Sequence, residues 1–223
     1  MNFLSHFYFD RHSSDPHLVM GGALPDLVKN VRKDWNFHPE KYEDKYRSAE
    51  LASLLTGWKR HLEIDKHFHS SDFFFQHTVN LRTVMAPVLE QSPVRSFFLA
   101  HIALELMLDS LLITEGVIDA ERFYCLLSKC KNSTLKTFLQ LNKADQPELF
   151  FPFLKEFIHA RYLHSYREAH NIMYALTRIC MRIWPDPLTE TQKLQLTAIL
   201  PEYREKLQPT FMSIFHEIGK RLS

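Results

Sequence analysis

Apolar residues recur at three- and four-residue steps along almost the whole chain, the period of a helix packed on one face. Leu51, Leu54, Leu55, Trp58 and Leu62 make one such row and predict a long helix over residues 48–69. Further helices are expected over residues 72–84, 93–114, 119–131, 133–141, 147–167 and 168–184, the last stopped by Trp184-Pro-Asp-Pro187. Near the start, Ser14 or Asp15 can cap a helix that has Pro16 at its first position. That helix should kink or break near Gly21, Gly22 and Pro25. Residues 35–47 read as a polar loop or a short exposed helix, and residues 189–222 as a helical region interrupted at Pro201 and Pro209. Segment 93–114 is the most apolar and is expected at the centre of the core. Phe73, Phe74 and Phe75, with Phe150, Phe151 and Phe153, are expected as core residues too. No run alternates as several strands would, no repeat occurs, and no Pro/Gly/Ser linker divides the chain. The pattern predicts an all-α fold in a single domain over residues 1–223.

Composition sharpens this. With 223 residues and 45% hydrophobic side chains the chain can bury a sizeable core, and 5 glycines are few for a turn-rich β or α/β protein. A net charge of +1 gives no broad basic surface, so no nucleic-acid partner is expected. The three cysteines, Cys125, Cys130 and Cys180, form no Cys-x-x-Cys, which argues against a disulfide framework or a thiolate zinc site. The chain starts without a secretory signal pattern, and the expectation is a reducing, cytoplasmic location. The greasiest stretch carries His101, Glu105 and Asp109, so it is expected to be a core helix and no membrane span. The 13 histidines bring in the chemistry of imidazole and carboxylate as metal ligands.

His61 and Asp65 stand four residues apart on a helix, so they share a face and can reach one ion. They continue the row of Leu54, Leu55, Trp58 and Leu62, which points both groups inward. A metal ion satisfies such a pair; so does a buried His–Asp hydrogen bond. His101 and Glu105 repeat the spacing in an apolar helix, with Asp109 one turn further on. A ligand set and a buried polar network both fit these three. Asp26 follows the Gly-Gly-Ala-Leu-Pro stretch and His6 sits in an apolar run; each is a further candidate ligand. His67 and His69, just past Asp65, can ligate, protonate a leaving group or lie in solvent, and Lys59 or Arg60 can meet a phosphate. No Gly-x-Ser-x-Gly and no glycine-rich phosphate loop is present.

Three motifs carry a resemblance. MNFLSH at residues 1–6, GALPDL at 22–27 and GWKRHLEIDKHFHSS at 57–71 resemble the bacterial acyl carrier protein phosphodiesterase family. That family opens MNFLAH, has a turn ending in Leu-x-x-Asp, and carries Gly-x-x-x-His-x-x-Ile-Asp. Looser similarity follows in order at residues 100–112, 153–178 and 207–217. The resemblance implies a helical fold related to the histidine–aspartate phosphohydrolases, with additional C-terminal helices. It implies hydrolysis of the phosphodiester joining 4′-phosphopantetheine to a serine of holo-acyl carrier protein, with that carrier protein as the partner. It implies a divalent metal, manganese first and zinc or iron next. Position by position it carries over to His6, Asp26, His61 and Asp65 as ligands, and Glu105 falls on a family carboxylate. His101 stands where the family more often has an acid, so its role as ligand, and that of Asp109, rests on spacing. Asp65, His67 and His69 are the candidates for the chemical step. Leu62 and Glu63 replace residues that are usually basic. Another phosphoester substrate, or a non-enzymatic helical protein with a buried polar or metal site, remains the alternative.

Overall fold

The structure, a computed structural model, describes residues 1–222. The cap expected at Asp15 is present: its side chain accepts from His17 N–H and starts α2 (Pro16–Val31), with Pro at the first position. α1 (Phe3–Tyr8) precedes it, a short helix the sequence pattern did not separate from the N-terminal apolar run. The chain continues through α3 (Ala49–His69), α4 (Asp72–Met85), α5 (Ser96–Thr114), α6 (Ala120–Lys129), α7 (Asn132–Leu141), α8 (Phe150–Ala160), α9 (Ala169–Cys180), α10 (Glu190–Leu207) and α11 (Met212–Leu222). Short 3-10 helices lie at Pro39–Lys41, Glu43–Lys45, Pro147–Leu149 and Tyr162–Arg167. Among the described residues there is no strand, and the fold class is all-α.

Four expectations need correction. α2 does not break at Gly21, Gly22 or Pro25 but runs through them. A Cβ on Gly21 would stand 2.2 Å from the Leu54 carbonyl oxygen, and one on Gly57 would stand 2.1 Å from that of Leu18. The glycines let the backbones of α2 and α3 touch, and that contact holds the helix through Pro25, which lacks an N–H for the Gly21 carbonyl. α10 likewise passes through Pro201, carried by buried Leu196, Leu200, Tyr203 and Leu207 on its packed face. Residues 147–167 are not one helix: Arg161 turns left-handed at φ 49° after α8, an αL cap built without glycine. Residues 35–47 form the expected loop with short 3-10 helices but are not wholly exposed: Trp35, Phe37 and Tyr46 are buried, and Trp35 Nε1 donates to the Asp145 carbonyl.

Backbone contacts divide the chain into two compact units, each discontinuous in sequence. One holds His6–Asp65 and Ile118–Leu163. In it α2 packs on α6 and α8, burying Leu24, Leu27, Phe123, Phe150 and Phe157. The other holds Met1–Ser5, Lys66–Val117 and the chain from His164 onward. In it α5 packs on α4, α9 and α10. Length and composition alone would let its helix α5 cross a membrane, but most of the helix is buried inside the fold. Of the six phenylalanines expected in the core only Phe150 is buried; Phe73, Phe74, Phe151 and Phe153 are half-buried and Phe75 is 71% exposed. Ser71 caps α4, accepting from Phe74 N–H.

Candidate metal centres

In the unit built on α2 and α3, His61 and Asp65 do share a face of α3, and His6 joins them. Leu62, expected on the inward row, is exposed; Ile64 and Phe68 take its place, and this rotation buries His61 while leaving Asp65 partly open. The rings of His6 and His61 stack with centroids 3.7 Å apart and planes 12° off parallel. His6 Nε2 lies 3.2 Å from Asp65 Oδ1, and His61 Nε2 lies 3.6 Å from Asp65 Oδ2. The three donor atoms are all within 4.8 Å of one another.

The backbone fixes the chemistry of this group. His61 Nδ1 sits 2.8 Å from the Gly22 carbonyl oxygen. A carbonyl only accepts, so Nδ1 carries the proton and Nε2 presents its lone pair toward Asp65, the arrangement that metal-binding histidines use. Both nitrogens of His6 are buried; Nε2 has the Asp65 carboxylate 3.2 Å away as its neighbour, and Nδ1 has no hydrogen-bond partner. Burial, with His61 beside it, pushes His6 down to about 3, against the pull of Asp65, so the ring is neutral at physiological pH. Burial works to raise Asp65, but the histidines around it outweigh that and hold the carboxyl well below the usual range. Two neutral imidazoles converging on a carboxylate out of solvent are costly to leave without a cation, and an ion facing their Nε2 atoms and Asp65 satisfies all three. The residues present fit a divalent ion with nitrogen and oxygen ligands, a set that suits manganese, zinc or iron.

The other unit holds a second group of three. His69, at the end of α3, meets His101 and Glu105 on α5. His69 Nε2 and His101 Nε2 are 3.0 Å apart, and Glu105 Oε1 is 2.8 Å from His101 Nε2 and 3.4 Å from His69 Nε2. The Met1 amino group lies 3.1 Å from the same carboxylate oxygen. Burial pushes Glu105 upward, but that amino group and the two imidazoles prevail and hold it well below the usual carboxylate range.

Three residues from the sequence reading fall outside both groups. Asp109 is fully buried, and its oxygens are occupied: Oδ1 accepts from Ser5 N–H at 2.8 Å and Ser5 Oγ–H at 2.7 Å, and Oδ2 accepts from Leu4 N–H at 3.1 Å. It caps two orphan donors of α1. Asp26 follows no turn; it lies partly buried within α2. His67 is half-buried, its Nδ1 3.5 Å from the Arg221 guanidinium. The cations offered for a phosphate are also engaged, Arg60 with buried Asp10 and Lys59 with Glu43 at 2.8 Å. From the sequence His61 with Asp65 and His101 with Glu105 are two four-spaced pairs that could share one ion or hold two, and His69 can ligate, act in the chemical step or lie in solvent; the structure keeps the pairs in separate groups and joins His69 to the second. The four-residue step from Asp65 to His69 was the local signal for its ligand-like placement; its partner on α5 was not legible locally.

The model of the acyl carrier protein phosphodiesterase family matches residues 1–218. No curated protein and no solved structure gives a significant match. The family match runs through both three-residue groups and nearly the whole sequence, and on that footing the chain belongs to the acyl carrier protein phosphodiesterase family.

Proposed function

We propose that the protein is a metal-dependent phosphodiesterase that hydrolyses holo-acyl carrier protein, separating 4′-phosphopantetheine from the carrier serine. The observation that carries this reading is the His6–His61–Asp65 group, two buried imidazoles and an ionised carboxylate with converging donor atoms. His6 and His61 would hold the ion through Nε2, and Asp65 through a carboxylate oxygen, with manganese the metal the family resemblance favours. Bound there, a divalent ion supplies Lewis-acid polarisation of a phosphoryl oxygen and a more acidic water. The Gly22 carbonyl keeps the His61 ring from rotating, so its lone pair stays aimed. The second oxygen of Asp65 accepts a hydrogen bond from the attacking water and orients it toward phosphorus. Asp26, outside the three-residue group, enters as a further ligand on the family resemblance alone, and the kinship to histidine–aspartate phosphohydrolases belongs to the same reading.

Mass spectrometry of holo-carrier protein incubated with the purified protein and manganese tests it. The expected product is apo-carrier protein, with turnover abolished by a chelator and reduced more than about 100-fold in Asp65→Asn at unchanged helicity. Full activity in Asp65→Asn sinks the site. Turnover of a different phosphodiester, with holo-carrier protein untouched, moves the substrate and leaves the site standing.

A further inference from the structure

The proposed reaction leaves His69, His101 and Glu105 without a role as a group. We propose that these three residues form a second divalent-metal site, one that takes a transition-metal ion on two imidazole nitrogens and one carboxylate oxygen. Two ring nitrogens 3.0 Å apart repel unless a proton or a cation lies between their lone pairs. A carboxylate oxygen 2.8 and 3.4 Å from the same two atoms adds negative charge where they converge. Aromatic packing holds the rings in this pose. Phe74 meets both edge-on, with centroids 4.9 Å from His69 and 5.0 Å from His101, and Phe68 lies 5.2 Å from His69. The Glu105 side chain is only 12% exposed, and one oxygen, Oε1, faces the Met1 ammonium at 3.1 Å as well as both imidazoles, so positive charge already gathers at this carboxylate.

The donor set also states which ions fit. Two imidazoles and one carboxylate favour zinc, iron or cobalt over magnesium and calcium, which prefer oxygen alone. Three protein ligands leave a coordination position for water or an exogenous ligand, as catalytic rather than closed structural sites do. His69 and His101 are about one-third exposed, where His6 and His61 are buried. His101 also lines an open groove of about 240 Å³ with Phe74, Phe75, Phe97 and Arg82. An ion on this group is therefore reachable from solvent, and a chelator should remove it sooner than one held by two buried imidazoles.

The test is ion stoichiometry of the full chain. Protein stripped by a chelator is loaded with zinc or cobalt, freed of excess ion and measured by elemental mass spectrometry, with the visible spectrum of the cobalt form recorded alongside. Wild type is expected to bind two ions per chain. His69→Ala and His101→Ala are each expected to keep one, with loss of one component of the cobalt spectrum. Glu105→Gln, which preserves shape, should weaken the same ion by at least about 10-fold. His61→Ala should retain the ion that the chelator strips first. Wild-type stoichiometry in both His69→Ala and His101→Ala, with melting and helicity intact, overturns the inference. So does a single ion lost equally in His61→Ala and His101→Ala, which would mean one shared site. One ion lost in His101→Ala alone upholds this site and removes the centre assigned to the reaction above; one lost in His61→Ala alone does the reverse.

Discussion

Asp109 accepts three hydrogen bonds at the start of α1 in a site without solvent. Replacing it by Asn puts an amide donor against one of those donors, which should destabilise the fold by about 1–3 kcal/mol. The size of the effect should depend on pH. Burial pushes the carboxyl up to about 7, its three donors pull the other way, and Glu105 adds to the rise. A folded-state value above the unfolded one contributes stability that is complete below the ordinary carboxylate range and is lost as pH rises through about 7. In chelator-treated protein, the melting-temperature gap between wild type and Asp109→Asn should therefore be widest near pH 4 and narrow toward neutrality. A gap that ignores pH would mean that Asp109 does not titrate there. At this scale the sequence was partly legible. His61 and Asp65 could be read because their relation is local to one helix turn. The stacking of His6 on His61, the meeting of His69 with His101, and the capping role of Asp109 all depend on contacts between segments far apart in sequence.

At the scale of elements, the caps were legible and the glycines were not. Asp15 before Pro16 was read as an N-cap and is one; Thr189, expected at the start of the last helical region, closes a capping box with Gln192. Gly21, Gly22 and Pro25 looked like a break because helix propensity is all that the local sequence reports. Gly21 lies against the Leu54 backbone and Gly57 against Leu18 and Gly22, and at these two glycines the backbones of α2 and α3 meet where a Cβ cannot fit, whereas Gly22 has room for one. In an exposed helix, Gly→Ala adds about 1 kcal/mol of stability. Here the sign reverses. A methyl on Gly57 would lie 2.1 Å from Leu18 O and 2.7 Å from Gly22 N, and neither backbone atom can yield alone. Gly57→Ala and Gly21→Ala should each cost about 3 kcal/mol or more by chemical denaturation, and the double variant less than the sum, because either one already forces the helices apart. A stabilised Gly57→Ala would disprove the close contact. The same substitution should weaken metal binding, because Gly22 O fixes the His61 ring.

At the scale of the whole chain, the two units interleave in sequence, and α1 and α3 each contribute residues to both. No linker or composition shift marks such a division, so a single all-helical domain is what the sequence pattern alone predicts. The division gives metal binding a spatial signature. An ion that binds the folded state and not the unfolded chain stabilises it by about 2.7 kcal/mol at a hundredfold excess over its dissociation constant. That corresponds to about 100-fold slower amide exchange for hydrogen bonds that open with the unit holding the ligands. Each three-residue group lies within one unit, so the protection should follow the ligands. Loading wild type with zinc should slow exchange in α2 and α6 through His6, His61 and Asp65, and in α5 and α9 through His69, His101 and Glu105. His61→Ala should lose the slowing in α2 and α6 and keep it in α5 and α9; His101→Ala should show the converse. Loss of protection throughout the chain in both variants would mean that it opens as one cooperative block, and that either ion stabilises all of it.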